Sequence, residues 1–187
     1  VLFVGKKIIL YEYMAGNKCS KQLLNKTLVK IVQIILENNI KNWFIAYGTL
    51  LGIVREDSCI DNDDDVDIII ENINYDIIKD SLKQHGFEFE YNYGIGNTKN
   101  ILKIKQNNDY ASVDFYMSSI DKFGNFTDEW MKVIYTNCYD ESNQLVKYSW
   151  NDLVLNLPFN YESKLQKRYG SDWKTPKDSW GTGCKKL

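Results

Sequence analysis

The chain has 187 residues, 44% hydrophobic and 26% charged, enough apolar material for one domain around its own core. A formal net charge of −2 carries no overall nucleic-acid signature, and no apolar run is long enough to span a bilayer. One histidine and four cysteines without a CxxC pair argue against a zinc site and fit reduced thiols at least as well as disulfides.

In chain order, "SKQLLNKTLVKIVQIILENNIKN" reads as an amphipathic helix. Ser20 can cap it, and Leu24, Leu28, Val32 and Ile35 return at helical spacing. "NWFIAYG" is a short strand ending in glycine, and "TLLGIVRE" one or two helical turns from Thr49. "VDIII" is a strand, "NYDIIKDSLKQHG" a helix stopped at Gly86, and "FEFEYNY" an alternating strand. Gly94-Ile95-Gly96 reads as a hairpin turn. "NILKIKQ" and "ASVDFYM" are two further strands, joined through the turn-rich Asn107 to Tyr110. Trp150 to Leu157 follow, then Pro158 and a helix near Tyr161 to Tyr169. Tyr169, Gly170 and Trp173 read as a helix end with an aromatic folding back onto the core. The order α-β-α-β-α-β-β-β is mixed α/β (α+β), with a sheet at least partly antiparallel and flanked by helices. With only two prolines and no linker composition, residues 1–187 form one domain, its core about 20–177.

The densest charge lies at the mouth of a buried strand. Six aspartates fall between Asp57 and Asp67 and run into Ile68-Ile69-Ile70. Carboxylates this close repel, and burying them unpaired costs several kcal/mol, of order 2–7 for a polar group alone. Alternate strand residues share a face, so Asp65 and Asp67 point the same way, joined by Asp63 if the strand starts early. Asp114, between Val113 and Phe115, also needs a partner. A shared divalent cation meets both needs, and carboxylates around hard cations are the usual arrangement for handling phosphate esters. A solvated loop accounts for Asp57, Asp61 and Asp64, but not for Asp67 and Asp114. The EF-hand spacing is absent, because Val66 stands where that loop needs glycine, so a structural calcium site is the weaker reading.

Gly48 and Thr49 sit at a strand-to-helix junction, where backbone approach and free N–H groups suit an anion. Arg55 follows about one and a half turns later and could fork onto a phosphate. Lys103, among apolar neighbours in "LKIK", reads as a solvated strand face. His85 reads as a helix-terminal residue without a catalytic role.

Gly-Thr-Leu-Leu-Gly-x-x-Arg, then Ile60, then Asp63-Asp64-Asp65-Val66-Asp67-Ile68 resembles the signature of the LicD/fukutin family, of the nucleotidyltransferase-fold superfamily. The superfamily's Gly-Ser/Thr turn, Asp-x-Asp pair and later strand aspartate correspond to Gly48-Thr49, Asp65-Val66-Asp67 and Asp114. "LPFNYESKLQKRYGSDWKTP" resembles the family's closing segment, so the likeness covers about residues 20 to 177. Asp61-Asn62 stand where members read Pro-Trp, and the chain is shorter than typical members. The resemblance implies a nucleotidyltransferase-like mixed sheet. It also implies transfer of a phospho-alcohol, phosphocholine or phospho-alditol, from a CDP-linked donor to a glycan hydroxyl, with Mg2+ or Mn2+ and release of CMP. It gives Asp63, Asp65, Asp67 and Asp114 to the metal, and Asp114 also to the acceptor hydroxyl as base. Gly48, Thr49 and Arg55 go to the donor phosphates. Two other readings stay open: nucleotidyl transfer from a triphosphate with pyrophosphate release, and a catalytically silent nucleotide- or metal-binding domain. Nucleic acid is not expected as a partner. The chain begins at Val1, and compartment stays open between the cytoplasm and, with an upstream anchor, the secretory lumen.

Overall fold

The computed structural model describes residues 17–92 and 94–176. In chain order come α1 (Lys21–Glu37), β1 (Trp43–Ile45), α2 (Tyr47–Glu56), β2 (Asp65–Glu71), α3 (Tyr75–Gln84), β3 (Phe89–Glu90), β4 (Ile101–Ile104), β5 (Ser112–Ile120), β6 (Phe126–Asp128), β7 (Val133–Tyr135), β8 (Val146–Trp150), β9 (Leu153–Leu157) and α4 (Tyr161–Tyr169). The main sheet runs β1-β2-β5-β4-β3, with β6 on β5 and β7 on β6. Among the described residues only the central β2–β5 pair is parallel; β8 and β9 form a separate antiparallel ribbon. The mixed α/β reading holds. Tyr93, expected at the end of the strand over "FEFEYNY", and Cys184 lie outside the described residues.

Alternation along the strands gives the sheet two different faces. Val66, Ile68 and Ile70 of β2, Val113, Phe115 and Met117 of β5, and Leu102 and Ile104 of β4 join the larger core. Leu24, Leu28, Ile31 and Ile35 of α1 and Ile78 and Leu82 of α3 belong to the same core. Ile69 belongs instead to a smaller cluster with Phe44, Tyr47, Phe126 and Tyr135, and Tyr116 packs against it. Asp65, Asp67 and Asp114 share parity with Ile69 and Tyr116. The acids therefore occupy the face that the large core does not.

Several boundaries depart from expectation. α2 starts at Tyr47, not Thr49, and runs ten residues to a left-handed Asp57. The strand expected over "FEFEYNY" shrinks to Phe89–Glu90, because Glu90 turns its carboxylate back onto the N–H groups of Tyr91 and Asn92. β2 begins at Asp65, so Asp63 precedes the strand. Ser20 caps α1 by accepting from the Leu23 N–H, and Asn107 accepts from Asp109 and Tyr110 in the β4–β5 turn. Trp173 is buried in the larger core. Cys19, Cys59 and Cys138 are buried free thiols.

Candidate active site

Register brings the chemistry together. Asp67 on β2 stands opposite Asp114 on β5, and Asp114 opposite Lys103 on β4. Three neighbouring strands thus place carboxylate, carboxylate and ammonium side by side on one face. Lys103 is 6% exposed; its Nζ lies 2.5 Å from Asp114 Oδ1 and 3.7 Å from Asp65 Oδ2. The solvated-face reading of Lys103 is therefore wrong. The hairpin register turns it inward, and only a buried carboxylate makes that position tolerable.

The start of α2 fixes Asp67. The Gly48 N–H donates to Asp67 Oδ2 at 3.2 Å, and the Asp67 N–H donates to Thr49 Oγ1 at 2.9 Å. A Cβ at Gly48 would lie 2.6 Å from Asp63 Oδ2, so only glycine lets Asp63 fold over this turn. Tyr47, just before it, has φ of 45°, a costly conformation for a bulky aromatic. Surrounding contacts hold it there. Its hydroxyl donates to Asp128 Oδ2 at 2.5 Å, and its ring packs edge-on against Tyr116 and lies under the Arg168 guanidinium. Asp128 in turn accepts from the N–H groups of Trp130 and Met131.

Asp67 lies between the acids of the loop and Asp114, near both. One ligand oxygen from each of Asp63, Asp64 and Asp65 lies within 4.8 Å of the other two. Asp64 is buried, contrary to its reading as part of a solvated loop. Asp114 is held by Lys103, and the Tyr116 hydroxyl lies 3.5 Å from its Oδ2. Arg55 is paired with its neighbour Glu56, Nε to Oε1 at 2.8 Å, at the C-terminal end of α2. Among the described residues it makes no hydrogen bond or ion pair with the aspartates.

Burial, then mutual repulsion, raises Asp65 and Asp67 well above the ordinary carboxylate range. Burial also raises Asp114 against the pull of Lys103, and pushes Asp63 up to about 6. Burial works against the Lys103 ammonium, but Asp114 and Asp65 outweigh it and raise its pKa. Three carboxylates, Asp65, Asp67 and Asp114, thus share the Lys103 ammonium, with Asp63 and Asp64 close by. The donors are all hard oxygens, and the excess negative charge suits a divalent cation such as Mg2+ or Mn2+.

Sequence reasoning passed over Tyr47, Tyr116, Asp128 and Arg168. Tyr116 carries a signal, two residues after Asp114 on the same strand face. The others meet only through tertiary packing.

A mixed sheet with acids on two adjacent central strands beside a Gly-Thr helix start defines a nucleotidyltransferase-like domain. The chain belongs to the LicD/FKTN/FKRP family, matching its nucleotidyltransferase domain over residues 39–168. It is 29% identical over 146 residues to the uncharacterized protein RT0683 of Rickettsia typhi, covering 73% of this chain and 42% of that one, less than half its length. The fold is similar to the lincosamide antibiotic adenylyltransferase LnuA, lincomycin-bound, with a TM-score of 0.54, 10% identity, and 80% and 86% of the two chains covered. The antibiotic-resistance factor ANT(2'')-Ia gives a TM-score of 0.53 at 11% identity, covering 87% of this chain and 78% of that one. The family resemblance seen in the motifs and the nucleotidyltransferase-like architecture both hold. Among the described residues no helix is long and apolar enough to cross a membrane.

Proposed function

We propose that this domain transfers a phospho-alcohol, phosphocholine or phospho-alditol, from a CDP-linked donor to a glycan hydroxyl, releasing CMP. The observation that carries the reading is the register pairing of Asp67 with Asp114 inside a domain of this family. Asp63, Asp65, Asp67 and Asp114 would hold Mg2+ or Mn2+, which when bound neutralises charge on the donor phosphates and on departing CMP. Gly48 and Thr49, expected at the donor phosphates, act here first through Asp67, which they fix by two hydrogen bonds.

Asp114 is the base. The acceptor oxygen bonds to the phosphorus that carries the alcohol, and the bond from that phosphorus to the CMP oxygen breaks. CMP leaves with the electron pair, and the hydroxyl proton passes to Asp114 Oδ2. Lys103 on the other carboxylate oxygen keeps the group oriented. Arg55 would have to leave Glu56 to meet a phosphate, and we assign it no step.

The test is product release with Mg2+ or Mn2+ from CDP-choline, CDP-ribitol, CDP-glycerol and the four nucleoside triphosphates. Metal-dependent CMP from one CDP-donor supports the proposal and names the carried group. Pyrophosphate from a triphosphate would replace it with nucleotidyl transfer, the chemistry named for LnuA. Donor binding in calorimetry without any product, acceptor glycans included, would leave a silent binding domain.

A further inference from the structure

We propose that the site is built for one divalent cation, and that the Lys103 ammonium takes the place a second cation would occupy. The inference rests on the reading above in one respect, that the acidic cluster binds a metal. It goes beyond that reading in removing Asp114 from the metal's ligands.

The acids differ in what their oxygens meet. One oxygen from each of Asp63, Asp64 and Asp65 converges at the start of β2. Asp114 stands on β5, opposite Asp67, and its Oδ1 is taken by Lys103. Asp65 faces both ways, sharing the three-acid group and lying 3.7 Å from Lys103 Nζ. Lys103 is no mobile surface group that a metal would push aside. It is buried, and its backbone is registered between Glu90 and Asp114 in a three-strand antiparallel segment. An ammonium fixed at this distance from two carboxylates does what a second metal does: it offsets their repulsion and lets them stand close together. It also repels a dication brought to the same oxygens. Two-metal phosphoryl-transfer sites place their ions about 3.5–4 Å apart. Lys103 lies within 4 Å of both Asp114 and Asp65, so the oxygens a second ion would need already face an ammonium.

The experiment counts Mn2+ bound to the purified protein without nucleotide, by calorimetry and by loss of free-Mn2+ EPR signal. A pH of about 8 keeps ordinary carboxylates charged. The wild type is expected to bind one Mn2+. Lys103→Met, which keeps the length but not the charge, is expected to gain a second. Lys103→Arg, which keeps the charge, is expected to stay at one. A second variant does not depend on Lys103 being removable. Asp114→Asn should leave Mn2+ affinity within about threefold of wild type, while Asp65→Asn should lower it about tenfold or more.

Two Mn2+ on the wild type would overturn the inference, even if CMP release is metal-dependent and the proposed function stands. So would an Asp114→Asn loss as large as that of Asp65→Asn, or a folded Lys103→Met protein that still binds one Mn2+ with unchanged affinity. No Mn2+ on the wild type would overturn both this inference and the metal reading beneath it.

Discussion

At the level of single residues, the site sets function against stability. Asp67 is 6% exposed and lies among other carboxylates, so its charge costs the apo protein free energy. Asp67→Asn keeps the shape and removes the repulsion. It should lower turnover by about 100-fold or more while leaving the apo melting temperature equal or higher. Thermal unfolding in EDTA beside the CMP assay checks both; a large drop in melting temperature would make Asp67 structural. Gly48→Ala acts sterically, since its Cβ would meet Asp63 Oδ2 at 2.6 Å. Asp63 must then move, so metal affinity should fall about tenfold or more with the fold intact, read by the same Mn2+ titration. The thiols show the cost of burial on the opposite side of neutrality. Burial pushes Cys59 up to about 12 and Cys138 up to about 11, from an ordinary 9.0. Between these limits the folded chain keeps protons that the unfolded chain has lost. Their contribution is therefore intact below about pH 9 and declines as pH rises toward about 12. The urea midpoint should fall across that window, and less steeply in the Cys59→Ala, Cys138→Ala double variant. Equal slopes would mean the thiols do not contribute.

The elements were readable where periodicity alone decides them, and unreadable where a tertiary contact does. α1 follows from Ser20 and its apolar repeat, and β2 from an unbroken apolar run. The convergence of Asp67 and Asp114 was foreshadowed by their both lying in apolar strands, but the register that makes them neighbours is a property of the sheet. Lys103 shows the limit most sharply. "LKIK" alternates, yet nothing in those four residues tells which face is solvent; the pairing with β5 decides it. Tyr47 is another case, since its φ of 45° is set by Asp128, far away in sequence. The β8–β9 ribbon was not anticipated as a separate sheet, and one bond ties it to the site's helix. The Trp150 indole N–H donates to the Asp57 carbonyl at 3.0 Å, just where α2 ends in a left-handed residue. Trp150→Phe should preserve the packing and lose that part-buried bond, at a cost of about 0.5–1.5 kcal/mol. Urea denaturation measures it, and an unchanged midpoint would mean that water replaces the indole.

For the whole molecule, the question is how much chain the active site needs. The family's domain matches residues 39–168, and every site residue proposed here lies within it. Yet α1 lies outside that span, and its Leu24, Leu28, Ile31, Val32, Ile34 and Ile35 are all 0% exposed. Burying one such side chain contributes about 1.5–3 kcal/mol, so six of them rival the entire 5–15 kcal/mol by which a domain is stable. The segment also reaches the acidic loop directly. The Cys19 N–H donates to the Asp63 carbonyl at 2.8 Å, and the Asn62 N–H to the Cys19 carbonyl at 2.9 Å. The Lys21 N–H meets Asp61 Oδ1 at 2.9 Å. On α1 itself, Thr27 Oγ1 accepts the Ala111 N–H at the entry to β5. α1 therefore closes the large core under the sheet and clamps the loop that carries Asp63. A fragment of residues 39–176 should lack a cooperative thermal transition in circular dichroism and bind no Mn2+. A fragment of residues 17–176 should keep both. A sharp transition in the shorter fragment would show that β2, β5 and α3 hold the core without α1. Mn2+ binding by that fragment would further show that Asp63 keeps its place without the Cys19 clamp.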